Sequence, residues 1–210
     1  MGPSRTKPSI VYWLGNNLYL NITNRCSNNC YFCIRNFWTG VGSFNLRLNR
    51  EPTFSEVILV LQEVINARNW SEIVFCGFGE PMERLDLLLE VARWIGKYYA
   101  KATKVRLDTN GHGCLLNRGR DVVRELKAAG INKISVSLNA HNEEVYNRVC
   151  RPKLGDAYES VLEFIEKAKG SFDIEVTTVA IPEVNIDEVR QLAQKMGVGF
   201  RIREPVQCFL

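Results

Sequence analysis

The chain of 210 residues has only two histidines, His112 and His141, and no residue stands out as a dedicated acid or base. It has no apolar run that approaches a membrane span; Val57–Leu61 reads as one face of a helix. No secretory leader is visible, and there is no internal repeat or low-complexity tract. A strong charge imbalance is also missing. The 27 Lys+Arg stand against 23 Asp+Glu, a net charge of +4. That does not indicate a nucleic acid partner, and it fits an anionic ligand. These absences predict a cytoplasmic protein, off the membrane, with reduced cysteines. The composition is 46% hydrophobic and 24% charged, which supports a sizeable core. The length predicts one domain over residues 1–210, with residues 1–9 as a loose tail.

Seven cysteines are present, an odd number. Three of them, Cys26, Cys30 and Cys33, form a CxxxCxxC run just after the strand-like stretch Leu18–Thr23. Three thiolates on one short loop can hold three irons of a 4Fe-4S cubane, whose full set is four cysteines. The missing fourth ligand leaves one iron open to chemistry. A structural zinc site is the rival, but it needs a fourth ligand, and the stretch from Ile34 to Arg50 has neither His nor Cys. Cys76, Cys114, Cys150 and Cys208 are scattered and read as buried small apolar residues.

Along the chain, Ile10–Leu14 and Leu18–Thr23 around Gly15-Asn16-Asn17 predict a hairpin. Residues 34–52 form a long loop beside the cysteines, a candidate lid or packing element. Thr53-x-x-Glu56 is a capping box that opens a helix through Arg68. Strands follow at Glu72–Cys76, Lys104–Asp108, Lys133–Asn139, Ile174–Ile181 and Gly199–Arg203. The helices between them run from about Glu83 to Lys97, through Ala129 to a stop at Gly130, near Asn142–Val149 and Tyr158–Lys169, and from Ile186 to Met196. This alternation predicts an α/β fold, a partial (β/α)6 TIM-like barrel.

The strands alternate instead of running continuously apolar. Ile134, Val136 and Leu138 oppose Ser135, Ser137 and Asn139; Val105 and Leu107 oppose Arg106 and Asp108; Phe200 and Ile202 oppose Arg201 and Arg203. Unpaired polar groups are too costly to bury dry, so their faces predict a wet lumen. Ligands in such folds bind at the C-terminal strand ends, where the cysteine loop, Glu80, Asn110 and Asn139 converge.

The CxxxCxxC run with Phe32 before its last Cys resembles the radical SAM superfamily. The stretches LYLNITNRCSNNCYFCIRNF, FCGFGEP, RLDTNGHG, ISVSLNA and VCRP are most similar to the small TatD-associated radical SAM proteins, from about Ile10 to Arg203. The resemblance implies a 4Fe-4S cluster on Cys26, Cys30 and Cys33, with S-adenosylmethionine (SAM) on the open iron. It implies that Gly79, Glu80 and Pro81 serve the SAM amino group, with Phe78 where many members have glycine. It implies SAM contacts for Phe32, Ser137, Asn139 and Ala180. Asp108-Thr109-Asn110-Gly111 resembles the stretch that binds a monovalent cation near the SAM carboxylate in glycyl-radical activases.

The activity implied is reductive cleavage of SAM to a 5′-deoxyadenosyl radical that takes hydrogen from an anionic small molecule or peptide. The electron would come from a donor such as flavodoxin or ferredoxin. Arg106, Arg201 and Arg203 are candidate lumen cations, with Arg35, Arg47 and Arg151 at the rim. Three alternatives remain open: an activase that installs a glycyl radical on a partner protein, a small-molecule enzyme resembling 7-carboxy-7-deazaguanine synthase, and a metal-binding module without catalysis.

Overall fold

A computed structural model describes residues 7–99 and 104–205. Its centre is a seven-stranded sheet. In chain order its strands are β1 (Val11–Leu14), β2 (Asn17–Leu20), β5 (Glu72–Phe75), β6 (Lys104–Thr109), β7 (Lys133–Ser137), β8 (Asp173–Val179) and β9 (Gly199–Arg203), each paired with the next. β1 and β2 are an antiparallel hairpin turning at Gly15, whose φ is 56°. From β2 onward every pairing is parallel. The six parallel strands and their helices are the expected partial barrel, open between β1 and β9. Two further short strands, β3 (Gly40–Val41) and β4 (Phe44–Asn45), form a separate small hairpin.

The helices are α1 (Phe54–Val64), α2 (Leu85–Tyr99), α3 (Gly113–Leu116), α4 (Val122–Ala128), α5 (Glu143–Cys150), α6 (Ala157–Ala168) and α7 (Ile186–Met196). None in the described residues is long and apolar enough to cross a membrane. Local chemistry sets their ends. Thr53 and Glu56 form the expected reciprocal capping box on α1. Asn142 and Asn185 accept backbone N–H groups at the starts of α5 and α7. Gly197, at φ 71°, stops α7 in the left-handed conformation.

The alternation in the strands sorts their side chains as expected. Leu18, Leu20, Leu107, Ile134, Val136 and Val176 are all buried against the helices. The opposite face carries Asp108, Ser135, Ser137, Thr177, Arg201 and Arg203 into one cavity.

Several boundaries differ from expectation. α1 stops at Val64 instead of Arg68, because Trp70 Nε1 takes the Val64 carbonyl at 3.2 Å. The helix expected through Ala129 is two helices, parted at Asn117 and Gly119; Gly119 has φ 82°. β2 ends at Leu20; beyond it the Asn21 backbone N–H still donates to Ile10 O at 2.8 Å, and its side-chain Nδ2 ties the Ser9 and Leu46 carbonyls to the strand exit. Pro8 and Ser9 are not loose: Pro8 bridges to Asn45, and Ser9 N donates to Asn45 O at 2.7 Å. Residues 1–6 of the expected tail, and Cys208, lie outside the described residues. The 34–52 stretch is packed. It carries a 3-10 turn at Ile34–Asn36 and the β3–β4 hairpin, and it buries Leu46 and Leu48.

Candidate active site

The chain leaves β2 and turns into the cysteine loop. Two contacts weld this exit to the turn after β5. Phe78 N donates to Asn21 Oδ1 at 2.9 Å, and Glu80 N donates to Arg25 O at 2.7 Å. The glycines serve this close approach: a Cβ on Gly79 would sit 2.2 Å from the Arg25 carbonyl, and one on Gly77 would sit 2.2 Å from Asn21 Oδ1. Neither glycine has positive φ, so crowding explains them and turn conformation does not. Phe78, in a place the resemblance gives to glycine, is buried with Tyr12 and Leu46 under the 34–52 stretch. Phe78 also lines the cavity, with the Arg35 guanidinium 5.6 Å from its ring centroid.

The cavity has a volume of about 340 Å³ and collects the C-terminal ends of all six parallel strands. Cys26, Cys30, Cys33 and Phe32 line it from the first loop, Gly79 and Glu80 from the second, and Asp108 and Asn110 from the third. Ser137, Asn139 and Arg203 line it from β7 and β9. Arg35 and Arg201 also line it, and the Arg201 side chain is 45% exposed. Pro81 and Ala180 are not among the lining residues. Pro81 is buried at the start of a 3-10 turn, and Ala180 N donates to Arg203 O at 2.9 Å. Arg106, Arg47 and Arg151 do not line it either. Cys76 lines the cavity, contrary to its reading as core filler; Cys150 is fully buried, as read.

The three cysteines are free thiols. Burial pushes the Cys26 thiol up to about 12, with the Glu80 carboxylate adding to it. Cys30 is raised by a hydrogen bond with the Cys150 thiol and by burial; Cys33 is raised by burial. Neutral thiols let three ligands share one loop without mutual repulsion, and iron would displace their protons. Among the described residues, no three Cys, His, Asp or Glu side chains are close enough to hold one metal ion. A cubane takes one sulfur on each iron and spreads its ligands more widely, which suits three thiols around a shared cavity.

Glu80 is the second centre. It is 3% exposed and accepts three hydrogen bonds: Thr109 Oγ1 at 2.8 Å and Met82 N at 3.1 Å on Oε1, and Asn110 N at 2.7 Å on Oε2. Burial pushes its carboxyl up to about 7, against the pull of those donors. No cation partners it among the described residues. A buried carboxylate in this state suits an incoming ammonium group.

Arg203 is its counterpart. Its Nη2 donates to Ser137 Oγ at 3.2 Å and Asn139 Oδ1 at 3.0 Å. Its Nε is buried without a partner, and burial lowers its pKa. Asn139 reaches this position because β7 ends with its backbone at φ 58°, a conformation asparagine tolerates. In contrast, Asp108 accepts from Arg106 Nε at 2.7 Å, and Thr109 is spent on Glu80. Both residues of the stretch that resembles a monovalent-cation site still line the cavity.

Sequence reading missed Ser27, Asn28 and Tyr146, gave His112 no role, and placed Thr109 in the cation stretch and not on Glu80. Thr109 stood inside the quoted DTNG stretch, next to two named residues. The others carry no spacing signal.

Comparison with known proteins agrees with the geometry. The family model described as Radical SAM superfamily matches residues 20–196. GTP 3′,8-cyclase of Streptomyces coelicolor is 27% identical over 180 residues, 83% of this chain and 48% of that protein. GTP 3′,8-cyclase of Peptoclostridium acidaminophilum is 30% identical over 179 residues, 83% of this chain and 49% of that protein. The chain thus spans about half the length of the curated relatives it matches. Among solved structures, SuiB of Streptococcus suis bound to S-adenosylmethionine has TM-score 0.66 at 12% identity, over 91% of this chain and 40% of that one. Methylornithine synthase has TM-score 0.63 at 14% identity, over 90% of this chain and 53% of that one. These structural likenesses are of fold.

Proposed function

The chain belongs to the radical SAM superfamily, and from that premise we propose that it cleaves SAM reductively to act on an anionic substrate. It is an enzyme of a family that uses a 4Fe-4S cluster and SAM, so the reading as a metal module without catalysis falls. Bound there, cluster and SAM supply an electron and a 5′-deoxyadenosyl radical. One observation carries the assignment of residues: three thiols and a buried carboxylate without a cation face the same cavity.

In this reading Cys26, Cys30 and Cys33 hold the cluster, and Phe32 covers it. Glu80 receives the SAM ammonium group, with Gly79 and Pro81 shaping its turn. Ser137 and Asn139 offer polar contacts to SAM, and Ala180 borders it through backbone. Asn110 fixes Glu80 by its backbone N–H. Arg203 meets a carboxylate or phosphate, since it is the lumen guanidinium with an unused buried N–H. Arg106 and Arg201 are excluded from that task because Asp108 and Glu175 already hold them. GTP, named in the curated relatives' activity, is one anionic substrate to try. The radical-forming unit is the whole stretch of residues 1–210, and a flavodoxin or ferredoxin supplies the electron.

The test is anaerobic reconstitution with iron and sulfide, then reduction with dithionite in the presence of SAM. 5′-Deoxyadenosine should form, and Cys30→Ala should abolish it together with the cluster's absorbance. A reconstituted cluster that yields none would overturn the reading.

A further inference from the structure

Behind the cysteine loop runs a buried polar chain that the reading above leaves unused. Asn110 Nδ2 donates to Ser27 Oγ at 2.8 Å and stands 3.9 Å from Cys26 Sγ. Its Oδ1 accepts from His112 N at 3.0 Å, which fixes the amide with its N–H groups toward the sulfur. Ser27 Oγ lies 2.9 Å from His112 Nδ1, and His112 Nε2 lies 2.8 Å from Tyr146 Oη. Asn28 meets Tyr146 Oη at 3.0 Å. His112 and Tyr146 are both 0% exposed. The chain joins the cysteine loop, the exit of β6 and helix α5.

Its direction follows from its chemistry. Burial holds the His112 imidazole down at about 4, so at neutral pH one ring nitrogen donates and the other accepts. Asn110 donates to Ser27, so the Ser27 hydroxyl is free to donate to His112 Nδ1. His112 Nε2–H then donates to Tyr146. The Tyr146 hydroxyl hydrogen remains, and Asn28 Oδ1 is the acceptor beside it without a donor. A half-turn of the Asn28 amide closes the sequence. A core that only needed filling would take apolar side chains here, because each unsatisfied buried polar group costs about 1–3 kcal/mol.

We propose that this chain, anchored by His112 and Tyr146, holds the Asn110 amide on the Cys26 sulfur and thereby raises the reduction potential of the cluster. The inference rests on the cluster assignment to Cys26, Cys30 and Cys33. Its physical basis is that an N–H directed at a cluster sulfur stabilises the more negative, reduced state. His112 and Tyr146 touch neither sulfur nor SAM, so both are positioning residues. Asn110 also donates its backbone N–H to Glu80, so one residue spans the ligand sulfur and the carboxylate.

The experiment uses the full chain, reconstituted anaerobically, with the potential read by EPR-monitored redox titration. Tyr146→Phe removes one hydroxyl and keeps the ring. Iron and sulfide content should match wild type, while the ratio of reduced to oxidised cluster at the wild-type midpoint falls about tenfold, ~59 mV for one electron. Ser27→Ala, which breaks the same chain nearer the sulfur, should shift it in the same direction. A loaded Tyr146→Phe cluster with unchanged or raised potential overturns the proposal. If Tyr146→Phe does not fold, Ser27→Ala decides by the same criterion. A variant that folds but loads no cluster assigns the chain to assembly and overturns it too. A wild-type protein that takes up no 4Fe-4S cluster refutes instead the underlying cysteine assignment.

Discussion

Two sets of charges lie on the same polar face of the sheet, and they are treated differently. Part-way along the strands the charges are paired. Arg106 bridges Glu72 and Asp108, and Arg201 holds Glu175 at 2.7 Å. At the strand ends Glu80 and Arg203 share the cavity, and among the described residues neither has an ion-pair partner. A buried charge without its opposite is unfavourable. Pairing inside the barrel is structural; under the proposed function, unpaired charge at the strand ends is preorganised for a ligand that brings the opposite sign.

The largest expected effect falls on Glu80. Glu80→Gln keeps the shape and removes the charge, so a buried ammonium loses a charge-assisted hydrogen bond worth about 2–3 kcal/mol. SAM should bind the reconstituted protein on the order of 100-fold more weakly, with cluster content unchanged. Equilibrium dialysis checks both. Wild-type affinity in the variant would break the contrast between rim and interior.

Glu80 also predicts a pH dependence of opposite sign to the usual carboxylate. Its folded pKa of about 7 lies above the ordinary 4.5. The folded state therefore holds the proton more tightly than the unfolded chain. This group's contribution is full below pH 4.5 and is lost as pH rises through 7, by about 3 kcal/mol in all. An ammonium ligand removes that loss, so SAM should bind more tightly as pH rises from 6 to 8. Denaturant melts of wild type and Glu80→Gln in the absence of SAM, compared at pH 5 and pH 8, isolate the group. A difference between them that does not change with pH would refute the shift.

Much of this was readable in the residues. Ile134 and Val136 against Ser135 and Ser137 show a two-sided strand, and three such strands imply a wet interior. The spacing of Cys26, Cys30 and Cys33 pointed to the family, which the match over residues 20–196 shows. The pairing of the arginines was not readable, because it depends on cross-strand neighbours. Arg106 reaches Glu72, 34 positions away, and Arg201 reaches Glu175, 26 positions away. Tyr146 likewise sits 34 positions from His112, and only the packing of α5 against the cysteine loop brings them together. Phe78 broke the expected glycine pattern for a reason that lies in a separate small cluster under the β3–β4 hairpin. Periodicity tells which way a side chain faces, and it is silent on what it faces.

The interior set can be tested by breaking one pair. Arg106→Met leaves Glu72 and Asp108 without a cation; their side chains are 17% and 24% exposed. Burial already pushes the Asp108 carboxyl up despite Arg106, and without Arg106 only the more distant Arg203 and Arg201 would favour its ionised form. The expected loss is about 2 kcal/mol of unfolding free energy, below the full cost of a deeply buried pair because part of the site is wet. Chemical denaturation measures it. SAM affinity of the folded variant should stay at the wild-type level, since Arg106 does not line the cavity.

Arg203→Met should do less to stability than Arg106→Met, although both remove an arginine from the same face. The substitution discards two hydrogen bonds, to Ser137 and Asn139. It also discards a desolvated guanidinium whose Nε has no partner, and the nearby Asp108 keeps its ion pair with Arg106. The two contributions oppose each other, and the net change should stay within about 1 kcal/mol. Melts of both variants at one pH make the comparison direct. A loss for Arg203→Met as large as that for Arg106→Met would mean that the rim arginine is as structural as the interior one. The case for an anionic ligand at that end of the cavity would then lose its basis, while Glu80 and the cysteine loop would be untouched.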